Sequence, residues 1–250
     1  MSGARRIADI PPARLAALNA GAEAGNLTEC LAVDFAALME VTLPDPGADA
    51  IAGMRAAASL GISKRMALAG RVVLGLPEGD RERLASHPSD TVRGWACFAL
   101  GQMPDQPFAT RLDMLRPLAD DAHFGVREWA WMALRPHIAA DPDNAIAALM
   151  PWIAEPSERL RRFVSEATRP RGVWCAHLRP LREAPERALP LLEPLRADPA
   201  RYVQDSVGNW LNDAAKDRPD WVRALCDRWR RESPVHATDY IRKRATRSIS

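Results

Sequence analysis

Four cysteines occur in 250 residues, at positions 30, 97, 175 and 226, with no CxxC pair and no histidine at metal-ligand spacing. That scarcity excludes a disulfide framework and gives no reason to expect a metal site, so a reducing compartment, the cytoplasm, is expected. No apolar run approaches the roughly 18 residues of a membrane span, and the segment from Met1 to Asp9 has no apolar leader core. No membrane association is expected. Asn-Gly and Asp-Gly pairs are absent, which removes the strongest short signal for β-hairpins. Aromatics make up only 6% of the chain, and a net charge of +2 is too small by itself to name a partner.

What is present points to helix. The chain is 47% hydrophobic, enough to bury a substantial core, and Ala, Leu and Arg dominate it. The segment from Asp90 to Leu100 aligns with that from His123 to Leu134 when Val92, Arg93, Trp95 and Leu100 are matched to Val126, Arg127, Trp129 and Leu134. The same shift carries Arg135-Pro136 onto Arg169-Pro170, and a looser copy begins at Tyr202-Val203. A recurring unit with helical periodicity inside it reads as a solenoid of stacked antiparallel helix pairs.

Apolar series mark first helices at Ala109-Leu112-Leu115-Leu118 and Ala145-Ala148-Leu149-Trp152, and a second helix at Val126-Trp129-Ala130-Ala133-Leu134. Pro136, Pro170 and Pro219 lie where second helices should stop or bend. The predicted fold is all-α, one α-solenoid domain over residues 1–250. Irregular capping helices are expected over about residues 1–60, near Pro12 to Ala20, Thr28 to Met39 and Ala48 to Ala58. A basic helix is expected at about residues 238–248, carrying Arg242, Lys243, Arg244 and Arg247.

Three carboxylates stand out because each interrupts an apolar helical pattern among arginines and tryptophans: Glu128, Glu166 and Asp213. Equivalent positions of successive second helices line one concave wall in a solenoid, which makes their convergence an expectation. The register is imperfect, since the repeat sets Glu128 opposite Arg162 and Met132 opposite Glu166. From Glu158 to Arg182 there are seven Arg against two acids, so that wall is expected to be basic. Arg162, Arg169, Arg171 and Lys216 are the candidate phosphate contacts. Trp95 and Trp129 share the apolar stripe and are read as core, whereas Trp174 follows a Pro-Arg-Gly break and is a candidate ligand contact. Trp131 and Trp210 are open between the two readings.

Leu18-Asn-Ala-Gly21, the segment from Leu27 to Asp34, Val126-Arg-Glu-Trp129, the block from Arg162 to Arg171 with Trp174, and the block from Val207 to Lys216 together resemble the HEAT-like-repeat DNA alkylation repair glycosylases of the AlkC/AlkD type. The resemblance spans most of the chain and is closer to the AlkC branch, in the form without a C-terminal immunoglobulin-like domain. Trp210 departs from the pattern, standing where relatives often have a His. The resemblance implies a monomer that excises cationic N3- or N7-alkylated purines, such as 3-methyladenine, from duplex DNA without metal or organic cofactor. It further implies that Glu128, Glu166 and Asp213 are catalytic, that Trp174 and Trp131 contact the lesion or sugar, and that Arg162, Arg169, Arg171 and Lys216 hold phosphates. The alternative is a non-catalytic scaffold that binds damaged or branched DNA.

Overall fold

Every regular element among the described residues, 4–249 of a computed structural model, is helical. Met1–Gly3, where the segment read for a leader begins, and Ser250 lie outside the described residues. In chain order the helices are α1 (Pro12–Asn19), α2 (Leu27–Ala32), α3 (Phe35–Thr42), α4 (Ala48–Ala56), α5 (Ile62–Leu74), α6 (Glu78–Ala85), α7 (Asp90–Gln102) and α8 (Phe108–Ala119). There follow α9 (Phe124–Ala140), α10 (Pro142–Leu149), α11 (Glu158–Ala167), α12 (Arg179–Glu183), α13 (Leu189–Leu192), α14 (Arg201–Ala215), α15 (Pro219–Glu232) and α16 (His236–Ala245). None of them is long and apolar enough to cross a membrane.

Two units can be distinguished. The first comprises the residues up to Gln106 together with Asp121–Ala133, and the second comprises Pro107–Asp120 together with the residues from Leu134 onward. In the first, α5 packs on α7; in the second, α14 packs between α11 and α16.

Two sequence expectations need correction. The single helix expected from Thr28 to Met39 is two helices, because the Asp34 carboxylate accepts the N–H groups of Ala36 and Ala37 and so starts α3 afresh. Pro136, expected to end or bend its helix, does not end it: α9 runs on to Ala140. Leu134 and Ile138, on either side of it, are fully buried, and their burial offsets a helical proline's cost of about 3 kcal/mol.

The repeat has a hydrogen-bonded signature at the N-terminal end of each second helix. Arg93 donates from Nη1 to the carbonyls of His87 and Pro88, Arg127 to those of Asp121 and Ala122, and Arg161 to those of Glu155 and Pro156. Gln204 does the same from Nε2 to Asp198 and Pro199. Each clip ties down loop carbonyls that the following helix leaves without partners. The clips also link neighbours: Arg93 binds the Asp121 carboxylate at 2.9 Å and Arg161 binds Asp198 at 2.7 Å. Those two aspartates in turn accept the N–H groups of His123 and Ala200.

Behind the clips lies the core. Trp95 and Trp129, read as core from the sequence, are 0% and 1% exposed. Phe163 takes the matching place in α11 and is also buried. A Cβ at Gly94 would lie 2.6 Å from the Trp129 ring, so a glycine there lets the indole rest on the α7 backbone.

Candidate active site and nucleic-acid interface

In the second unit, Glu166 lies in the last turn of α11 and Asp213 in the last turn of α14, each only 4% exposed. A buried carboxylate at a helix C-terminus is doubly unfavourable, through desolvation and through the negative end of the helix dipole. One guanidinium answers both. Arg169 donates from Nη1 to Glu166 Oε1 at 2.7 Å and from Nε to Asp213 Oδ2 at 2.8 Å. Ser206 Oγ donates to Glu166 Oε2 at 2.7 Å, Arg162 Nη2 stands 3.5 Å from the same oxygen, and Ser165 Oγ reaches Ser206 Oγ at 2.8 Å. Burial pushes the Glu166 carboxyl up, but Arg162, Arg169 and Ser206 outweigh it and hold the group below its ordinary value. Glu166 is therefore ionised at neutral pH. Lys216, at the end of α14, lies 3.4 Å from Asp213 Oδ1.

The chain then forms a loop whose two ends are fastened. Leu178 N–H closes it on Pro170 O at 3.0 Å. From inside, the buried Arg135 donates to the carbonyls of Ala167 and Arg169 at 2.8 and 2.5 Å, and to that of Ala176 at 3.3 Å. From outside, Asp217 accepts from Arg171 at 2.9 Å and from Arg182 at 2.7 Å, and these two guanidiniums bring its carboxyl down to about 2. Between the fastenings the loop presents Val173 and Trp174, 51% and 43% exposed. Trp174 has φ +60°, a left-handed conformation that bulky residues avoid. Gly172 permits the turn, since a Cβ there would lie 2.2 Å from the Cys175 sulfur. The loop thus combines a half-exposed indole with left-handed backbone at the same residue.

The structure thus joins Glu166, Asp213, Arg162, Arg169 and Lys216, and sets Trp174 on the loop that follows. Arg169 and Arg162, expected as phosphate contacts, have side chains only 14% and 12% exposed and are engaged with the acids; Arg162 also lies over the Tyr202 ring at 4.5 Å. Arg171 is turned to Asp217, and Lys216 keeps 46% of its side chain exposed. Glu128 and Trp131 belong to the first unit, one turn apart on α9, where the Trp131 N–H donates to Glu128 Oε2 at 2.9 Å. Trp131 is only 2% exposed, which corrects the expectation that it meets a lesion: its ring is core and its N–H orients a carboxylate. Trp210 is fully buried too, with its N–H given to Thr168 O.

Sequence reasoning missed Arg135, Ser206, Asp217 and Arg182. A signal existed for Arg135, whose Arg-Pro pair recurs at Arg169-Pro170, but it was read only as periodicity. It missed a second cluster altogether. Cys30 of α2, Asp90 of α7 and His123 just before α9, all in the first unit, bring one ligand atom each within 4.8 Å of one another.

Comparison with known proteins agrees with this architecture. A family model of HEAT repeats matches residues 81–168. Over 117 residues, 47% of this chain, the sequence is 38% identical to protein YhaZ of Bacillus subtilis (strain 168), of which 32% is covered. The chain thus spans about a third of the length of that curated relative. Among solved structures it is similar to the Pseudomonas fluorescens alkylpurine DNA glycosylase AlkC bound to DNA containing an abasic site analog, at 28% identity and a TM-score of 0.59. That match covers 80% of this chain and 55% of the other. AlkD2 from Streptococcus mutans matches with a TM-score of 0.60 at 20% identity over 76% of this chain and 96% of its own, a likeness of fold alone. The chain carries HEAT repeats and has the helical-repeat fold of the AlkC and AlkD proteins, as the resemblance implied.

Proposed function

We propose that this chain is a DNA N-glycosylase that removes cationic N3- or N7-alkylated purines from duplex DNA. The observation that carries the reading is the union of Glu166 and Asp213, distant in sequence, on the one guanidinium of Arg169 beside the loop that displays Trp174. The likeness to a glycosylase captured on DNA supports it. An alkylated purine already carries positive charge, so its bond to the sugar breaks with the electron pair passing to the base, which leaves neutral. The protein's task is to stabilise the oxocarbenium-like sugar and to direct a water whose oxygen bonds to the anomeric carbon. That water gives up one proton, and a carboxylate, Glu166 or Asp213, accepts it. Trp174 offers a face to the cationic base or sugar. Lys216 and Arg171 are assigned to the phosphates that flank the lesion, and Glu128 is a catalytic candidate on the resemblance alone. No cofactor enters these steps, and the chain acts as a monomer.

One observation favours the second reading, a scaffold that binds damaged or branched DNA without excising: both carboxylates are nearly excluded from solvent and satisfied by Arg169. Release of 3-methyladenine from methylated duplex DNA separates the two. Glu166→Gln and Asp213→Asn should each slow single-turnover release by about tenfold or more, some 1.4 kcal/mol in the barrier, with the helical circular dichroism retained. Binding without release by the wild type would establish the scaffold instead. Lys216→Gln should weaken DNA binding and lower the salt slope by about 0.9 per lost phosphate contact. An unchanged slope would remove Lys216 from the interface.

A further inference from the structure

The cluster of Cys30, Asp90 and His123 lies outside the chemistry assigned above. Cys30 comes from α2, Asp90 opens α7, and His123 directly precedes α9, all within the first unit. The Cys30 sulfur is 3.5 Å from Asp90 Oδ2, and His123 Nδ1 is 3.8 Å from the same oxygen. The first is an ordinary thiol-to-carboxylate hydrogen bond, and the second is too long for one. With metal bonds of about 2.3 Å to sulfur and about 2.0 Å to oxygen or nitrogen, neighbouring ligands of a tetrahedron stand about 3.3–3.5 Å apart, so the first distance matches an edge and the second needs to close by about 0.5 Å.

The surroundings orient the three groups as a ligand set. His123 Nε2 is 2.8 Å from Ala24 O, which places the proton on Nε2 and makes Nδ1 the acceptor; Nδ1 takes the Gly125 N–H at 3.2 Å, a contact that a metal at Nδ1 would replace. A histidine held through its second nitrogen by a backbone carbonyl is the usual outer support of a metal ligand. Asp90 spends its other oxygen on the Ala24 N–H at 2.8 Å, so Oδ2 is the one presented. Gly125 leaves room for the group, since a Cβ there would lie 3.1 Å from the imidazole and 3.6 Å from the Cys30 sulfur. A thiolate, a carboxylate and a neutral imidazole together carry two negative charges, so a divalent ion makes the site neutral. That is the condition under which burying it is tolerable. The nearby Glu29 is occupied elsewhere, by Arg14 and the Gly25 N–H.

We infer that Cys30 Sγ, Asp90 Oδ2 and His123 Nδ1 form a structural site for a borderline-soft divalent cation, zinc in the first place, that fastens α2 to α7 and to the start of α9. A sulfur and an imidazole select against magnesium and calcium, which take oxygen ligands. On binding, the Cys30 thiol proton is released to solvent, a metal–sulfur bond forms, and the fourth position falls to water. No oxidation state changes. The inference is independent of the glycosylase reading, because its test measures metal and not excision.

Full-length protein stripped with a chelator and titrated with Co²⁺ should take up one equivalent and develop the near-ultraviolet thiolate-to-cobalt band together with visible bands of tetrahedral intensity. Zn²⁺ should bleach both and raise the melting temperature. Cys30→Ser should abolish the near-ultraviolet band, and His123→Gln should weaken uptake at least about tenfold. A variant with Cys97, Cys175 and Cys226 all changed to Ser should keep the signal. Folded wild type that shows no band, or a band that survives Cys30→Ser, would overturn the site; since the wild type alone can give the first result, instability of a variant does not shield the inference.

Discussion

The two ends of the second helices use arginine in opposite ways. At the N-terminal ends, Arg93, Arg127 and Arg161 recur with the repeat, and each clips the two carbonyls five and six residues before it. At the C-terminal end of α11, Arg169 and Arg171 turn to carboxylates of α14 and the residues after it. The arginines at the N-terminal ends all hold loop carbonyls, and Arg93 and Arg161 add one aspartate each. Arg169 keeps the period with Arg135, yet Arg135 holds carbonyls while Arg169 serves carboxylates particular to this region. The C-terminal end is also where α11 gives way to a loop instead of the next helix, which leaves Trp174 exposed on fastened backbone.

Substitutions can break that comparison. The largest effect is expected from Arg169→Ala, which strips a shared partner from two buried carboxylates and should cost about 3–5 kcal/mol in urea unfolding. A loss under about 1 kcal/mol would mean the acids find other partners, and the cluster would not depend on its guanidinium. Arg161→Ala should cost about 2 kcal/mol through the Glu155 and Pro156 carbonyls and Asp198, yet leave the rate of base release unchanged in the folded fraction. A change in that rate would blur the line between the two ends. The smallest effect belongs to Asp217. Its carboxyl is held at about 2, so the stability it provides is complete above the ordinary carboxylate value near pH 4 and is lost as pH falls toward 2. Asp217→Asn should therefore flatten the acid limb of the stability curve and lower stability at pH 7 by about 1 kcal/mol, allowing for the solvent that reaches the group.

Helix-level features were legible in advance because they depend on near neighbours. The buried places of Trp95 and Trp129 follow from the apolar stripe, and the basic helix expected at about residues 238–248 is α16. Pro136 does not act as a stop because it meets a helix whose neighbouring side chains are anchored in the core. Trp131, left open by the residues themselves, has a buried ring whose N–H meets the Glu128 carboxylate. Trp174 was marked by the Pro-Arg-Gly break before it, but nothing in the sequence says that Arg135 and Asp217 hold its loop from both sides.

By itself the sequence determined the helices, their period and the apolar stripes that stack them, since these arise from intervals of three or four residues along one chain segment. Only the tertiary structure decided which arginines serve carbonyls and which bridge carboxylates, and that Cys30, Asp90 and His123 meet. The reason is physical: a charged or polar side chain takes its role from the groups within hydrogen-bonding reach, and in stacked helices those groups come from turns many residues away.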